Sequence, residues 1–480
     1  MKTPAPRFLL RTRLQPLVAA LVASAGLSAA SLAHAQSNQD LLKELQALKD
    51  RIQQLEDKLQ QNAAAPALPA EPAVSVQDFN RVSMKVEAAE DAQETSGTKG
   101  LKVSGMMDPT FVFNSRQHTS GFNFLNNFNS TTAGAGDSFT YYNSYFGMAM
   151  LDFQKETEGG QKWRLTLAPH KSASSGSNTS SIVHEASVSV PLDGPANKLI
   201  AGQIPDWSGY EYIWSNLQPL ISHNLLFDFT IPSYYTGAGM EFVRGKWDTK
   251  ILFANINQTT LSAGDKSSGI TYRADYAANE FSGFGFAGTA AQTNSNSDGF
   301  NMLEIDGFFI RGDLTLQGQI GGGQLVRGAF NGETANWNGV SALAAYKVTP
   351  RLQVVTRADY INNKSNGGGV FGSKTTTDPN NSLINVGDIY NGFGPAMTNS
   401  SGTWAVENSD NGVNRYALSV GFNYLITPNH TANSGTWNTG TWYKMELRAD
   451  GADGLVFYDA SSGGYKRDSL TVLSSLVFAF

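Results

Sequence analysis

The stretch RDSLTVLSSLVFAF (467–480) decides the fold. Read backward from its end, Phe480, Phe478, Leu476, Val472 and Leu470 are apolar at every second position, with Ser474 the exception. Side chains alternate between the two faces of a strand, so this segment is a strand with one apolar side. Left bare in water, such an edge would invite aggregation. In lipid, a closed barrel satisfies both its backbone edge and its apolar face.

The same period-2 pattern recurs upstream. Tyr443, Met445 and Leu447 alternate with Lys444, Glu446 and Arg448. Tyr416, Leu418, Val420, Phe422 and Tyr424 alternate with Arg415, Ala417, Ser419, Gly421 and Asn423. Sixteen such segments can be marked from about Gly100 onward, with 14 and 18 as the neighbouring counts, which predicts an all-β transmembrane antiparallel barrel over 100–480. Connections of alternating length support it. One set is long (114–137, 171–180, 204–235, 258–268, 292–299, 326–337, 362–413 and 450–466) and the other mostly short, as expected of outward loops and inward turns. The 362–413 segment, rich in Gly, Asn, Ser and Thr, reads as a mobile surface loop.

Composition agrees. Charged residues are 16%, aromatics 11% and glycines 48 of 480, with no cysteine and no long apolar run after the N-terminus, so a helical membrane protein is excluded. Residues 1–35 read as a signal peptide. Lys2, Arg7, Arg11 and Arg13 precede a short apolar run, Leu17 to Leu27, and Ala33-His34-Ala35 is a cleavage pattern. Its removal takes the formal charge from −6 to −10.

Residues 36–61 predict a coiled coil, with Leu45, Ile52 and Leu59 at a and Leu41, Leu48 and Leu55 at d. Glu44 at g faces Lys49 at e of a partner, and Arg51 at g faces Glu56 at e, as in a parallel homo-oligomer. A lone amphipathic helix is the simpler reading of the same residues. Residues 62–99 then form a Pro/Ala linker and a short helix.

Candidate functional residues fall in two groups. The connection IPDWSGYEYIWSNLQPLISHNLLFDFTIPSYY (204–235) supplies the carboxylates Asp206, Glu211 and Asp228 and the aromatic faces Trp207, Tyr210, Tyr212 and Trp214, a set able to guide ring-bearing solutes. Alternation turns Arg164, Arg273, Asp275, Arg357, Asp359, Lys444, Glu446 and Arg448 inward as a charged pore wall. Basic wall opposite acidic loop would set a transverse field that orients dipolar solutes. The bland readings are an apolar loop packed on the wall and salt bridges without transport consequence. No G-x-S-x-G or H-E-x-x-H motif is present and histidines are few, so no enzyme, cofactor, metal or nucleic-acid signature emerges.

A terminal Phe on an amphipathic last strand resembles the signal read by the barrel assembly machinery of Gram-negative bacteria. The layout of signal peptide, coiled coil, linker and barrel resembles trimeric porins of the DcaP type. The stretches DFNRVSMKVEAAEDAQETSGTKGLKVSGMMDPTFVFN (78–114), PDWSGYEYIW (205–214) and LISHNLLFDFTIPSYYTGAG (220–239) are similar to an uncharacterised family of β-proteobacterial outer-membrane proteins. In porins the loop between strands five and six folds into the lumen and sets the constriction, which implies that role for 204–235. The DcaP likeness implies anionic solutes such as dicarboxylates, against which the three loop acids stand. The expectation is a homotrimeric outer-membrane diffusion channel for small hydrophilic solutes, with outer-membrane lipids as surroundings and the coiled coil in the periplasm. The competing expectation is a structural or adhesive surface barrel with a plugged lumen.

Overall fold

A computed structural model describes residues 97–125, 146–169, 182–256, 268–293, 299–373, 375–428 and 439–480, with isolated positions between 49 and 88. The heptad residues Leu41, Leu45, Leu48, Ile52, Leu55 and Leu59 lie outside the described residues, as does the signal segment. The chain divides into two compact units, Met1–Gln93 and Glu94–Phe480.

The second unit is a closed antiparallel barrel of 16 strands. They are β1 (Leu101–Met107 continued by Thr110–Asn114), β2 (Thr119–Asn123 continued by Ala149–Glu156), β3 (Lys162–Leu167), β4 (Val183–Pro191), β5 (Asn197–Pro205), β6 (Tyr234–Arg244), β7 (Trp247–Ile256) and β8 (Ser268–Ala277). There follow β9 (Ser282–Gln292), β10 (Gly299–Arg311), β11 (Leu314–Leu325), β12 (Ala335–Thr349), β13 (Leu352–Asn362), β14 (Arg415–Pro428), β15 (Gly440–Ala452) and β16 (Asp468–Ala479). Each strand pairs with its sequence neighbours, and β16 closes on β1 through Met106↔Ala479 and Thr110↔Ser475. Closure removes the exposed edges that lipid could not hydrate.

Burial runs opposite to that of a soluble barrel. On β10, Phe300, Met302, Glu304 and Asp306 are buried while Leu303 and Ile305 are exposed. On β14 and β15, Arg415, Ser419, Lys444, Glu446 and Arg448 are buried while Tyr416, Val420, Met445 and Leu447 are exposed. Ionisable side chains inside and apolar ones outside suit a strand with lipid at its back. Among the described residues no helix is long and apolar enough to cross a membrane.

The short turns at one end include Gly245-Lys246 and Gly312-Asp313, whose glycines sit at φ +60°. That left-handed backbone is what a two-residue hairpin demands.

The first hairpin departs from expectation. The predicted 114–137 loop is instead a tight turn at 115–118, then the strand segment Thr119–Asn123 paired with Thr110–Asn114. An insertion splits β2, which resumes at Ala149–Glu156 against Leu101–Met107. Pro109, which has no N–H, interrupts β1 opposite the split. Asp108 closes the gap by accepting from Gly147 N (3.2 Å) and Met148 N (2.5 Å).

The 363–414 connection is likewise folded. It carries the hairpins Thr377–Asp378 with Asn381–Asn385 and Met397–Ser400 with Thr403–Val406, and it buries Val370, Val386, Ile389 and Phe393. Apolar residues spaced among the glycines and asparagines give it a core that its composition hides.

Candidate functional site

The connection between β5 and β6 folds into the barrel. Its one helical turn, α1 (Leu225–Phe229), is capped by Asn224, whose side chain accepts from Phe227 N at 2.8 Å. Thr230 closes the other end through its N–H to Leu226 O. Such a helix is too short to stand alone, and packing holds it. Leu225, Leu226 and Phe229 join Ile200 of β5, Leu252, Ala254 and Ile256 of β7, Phe300 of β10, Trp337 of β12, Ile361 of β13 and Phe393 in one buried apolar cluster. Earlier in the loop, Ile213 and Trp214 pack on Met106 and Met150, and Ile221 packs on Val112 and Leu473. The loop therefore reaches inner faces on opposite sides of the barrel.

Polar contacts fix its register. Arg357 donates to Glu211 Oε1 (3.0 Å), Ser222 O (2.7 Å), His223 O (2.8 Å) and Asp359 Oδ2 (3.2 Å). Glu446 accepts from the backbone N–H of Ile221 and Ser222, both at 2.8 Å, and from the Ser222 hydroxyl at 2.6 Å. Arg448 donates to His223 O at 2.6 Å, and Lys444 to the carbonyls of Ser215 (2.6 Å) and Gln218. Ser222 Oγ, bonded to Glu446, also accepts from Arg357 and Arg448 at 3.0 Å each. Buried ion pairs of this kind roughly break even against desolvation. Each fully buried Leu or Phe contributes roughly 1.5–3 kcal/mol. Apolar burial seats the loop, and the charges choose where it sits.

Burial sorts the wall residues. Arg357, Asp359, Lys444, Glu446 and Arg448, expected to face pore water, lie under the loop at 5% exposure or less. Arg273 is nearly covered and bonds Asp275, Asp306 and Gly209 O. Side chains that still meet water lie on the other side: Arg164 (33% exposed), Lys198 (23%), Lys250 (29%), Asp248 (35%) and Asp275 (40%).

The loop residues sort the same way. Glu211 bonds Arg357 and accepts from Asn224 N at 2.7 Å, and burial pushes its carboxyl up to about 7 against the pull of Arg357. Asp228 is buried 4.0 Å from His223, its carboxyl raised by burial. Burial pushes His223 down to about 3, and the cations Arg357, Arg448 and Lys444 add to the effect. Asp206 accepts from Ser208 N (2.7 Å) and from the Tyr235 hydroxyl. Trp207 packs on Tyr235, Trp214 on His184, and Tyr210 bonds Ser341 at 2.7 Å. Only Tyr212, at 59% exposure, leaves most of its surface in water among these candidates. The set read as a solute guide is thus largely structural.

Sequence reasoning passed over Ser222, the loop's hub, and Asp108, which also accepts from Ser215 Oγ. It also passed over Lys198, Glu241, Asp248 and Lys250. The alternation in NKLIAG, GMEFVR and WDTKILF signals those four. Nothing local marks Ser222. Among the described residues no group of three or more His, Cys, Asp or Glu could hold a metal ion.

The pattern of one protein family, described as "Protein of unknown function (DUF3138)", matches residues 71–269 and 259–480. No curated protein matches the sequence at a significant level. Similar solved structures include OmpT of Vibrio cholerae (8% identity, TM-score 0.46, covering 79% of this chain and 97% of that one). Others are the anion-selective porin of Comamonas acidovorans (12%, 0.44, 79% and 99%) and Salmonella typhi OmpF in complex with daunomycin (11%, 0.46, 79% and 97%).

Proposed function

The chain belongs to the family described as "Protein of unknown function (DUF3138)", which leaves its activity to be argued from the barrel, and we propose that it is a Gram-negative outer-membrane channel for small hydrophilic solutes. The observation that carries this reading is the half-exposed charged wall formed by Arg164, Lys198, Lys250, Asp248 and Asp275 inside the barrel. A barrel that serves only as a scaffold gains nothing from leaving ionised side chains in interior water, whereas a solute path needs them. The inward loop narrows that path to the side of β3–β8. The outward apolar face supports the outer membrane as its site, and the heptads support a homotrimer with a periplasmic coiled coil.

A second reading has its own observation. The apolar cluster joining α1 to β5, β7, β10, β12 and β13 spans the interior, as a plugged surface barrel would require. Single-channel conductance of the purified full chain in a planar bilayer under a salt gradient separates the two. Stepwise openings support the channel, and openings in groups of three support the trimer. A folded barrel that stays silent overturns the channel and leaves the plugged reading.

A further inference from the structure

Two rungs of opposite charge cross the water-facing wall at neighbouring heights. By strand register Lys198, Glu241, Lys250 and Arg273 lie side by side on β5, β6, β7 and β8. Two residues along the same strands, Asp248 faces Asp275, and Asp275 faces Gly285, which in turn faces Asp306 of β10. On β5–β8 the first rung carries three cations and one carboxylate, and it continues through Ala287 to Glu304 of β10; the second carries carboxylates only. Two residues of strand separate them by about 6.6 Å.

The ladder is paired but not saturated. Lys198 meets Glu241 at 3.2 Å, Lys250 meets Asp248 at 3.1 Å, and Arg273 meets Asp275 at 2.7 Å. Lys198 pairs with Glu241, and Lys250 with Asp248 and, at 4.0 Å, Glu241; with three donors on each ammonium and about four acceptor positions on each carboxylate, this leaves bonding capacity. Asp248 Oδ1 is buried without a hydrogen-bond partner. Gly285 makes room for the Arg273–Asp275 pair, since a Cβ would meet Asp275 Oδ1 at 2.5 Å and Arg273 Nη2 at 2.6 Å. Arg273 also donates to Gly209 O, so the ladder borders the inward loop.

We propose that these two rungs form a subsite for small zwitterions of the α-amino-acid class, the solute carboxylate on Lys198 and Lys250 and its ammonium on Asp248 and Asp275. The inference rests on the channel reading. An anion on this wall meets the carboxylate rung, and a cation meets the lysines, so a solute carrying both charges meets the least repulsion, although Glu241 stands between the two lysines. A neutral solute of the same shape gains no charge-assisted bond.

The test compares alanine with lactamide, its uncharged near-isostere, in swelling of liposomes containing the full chain, beside conductance in potassium chloride. Alanine should enter about threefold faster, the factor one solvent-screened ion pair supplies. The advantage of alanine over lactamide should vanish in D248N/D275N and in K198M/K250M, with a heat-modifiable band on gels as the sign of a folded barrel. Equal entry of alanine and lactamide in a conducting wild type overturns the subsite alone. An advantage that survives both double variants overturns it as well. No conductance and no entry of either solute overturns the channel reading, and the subsite with it.

Discussion

Arg357 shows how far one side chain can govern this lumen. Fully buried, it bonds the loop at Glu211, Ser222 and His223 and the wall at Asp359. Removing one member of a buried pair leaves its partner charged and unsatisfied, at a cost of about 3–5 kcal/mol. Arg357→Met should therefore loosen the loop, seen as a lower urea midpoint and faster proteolysis within 206–233. Adding Glu211→Gln should recover part of the loss, because one of the orphaned charges is then gone. An unchanged midpoint in the single variant would show that apolar packing alone holds the loop. Sequence alternation puts Arg357 on the inward face of β13, where it is buried. It could not show that the loop lies on top of it, since facing the interior and facing water are the same statement in a period-2 pattern. The reversal for Lys444, Glu446 and Arg448 has this one cause.

At the scale of the element, the closing strands carry the second lesson. The terminal residue pairs with β1 through Phe480 N to Gly105 O (3.0 Å) and Gly105 N to Phe480 O (3.1 Å). A Cβ on Gly105 would stand 2.8 Å from the Phe480 ring and 3.0 Å from Leu151. The glycine thus makes room for the terminal ring. Gly105→Ala should cost about 1 kcal/mol of barrel stability, at the low end for overpacking because a terminal ring can swing aside. In a Phe480→Ala background the cost should shrink, and a double-mutant cycle reads the difference. Equal costs in both backgrounds would place the strain at Leu151. The alternation of 467–480 was legible because nothing interrupts β16. The first hairpin was not, because Pro109 breaks β1 and the five residues Thr119–Asn123 of β2 include Ser120 and Gly121, which carry no apolar signal. Long polar connections misled for the opposite reason. In 363–414 a few buried residues, Val370, Ile389 and Phe393 among them, fold a segment whose average composition reads as surface.

For the whole molecule, the barrel is one compact unit, Glu94–Phe480, and the heptad segment belongs to the other. The strands from Leu101 to Ala479 close the barrel by pairing with one another. About three heptads are marginal for an isolated coiled coil. If barrels already hold three copies together, the helices meet at high effective concentration and their weak association adds to that of the barrels. Deleting 37–61 should then leave the barrel able to fold, seen as a heat-modifiable band on gels, while the oligomer dissociates at a lower temperature. Wild-type heat resistance of the oligomer in the deletion variant would remove the coiled coil from the assembly. Loss of the folded barrel itself would show that the two units depend on each other, contrary to the closed hydrogen-bonding of the sheet.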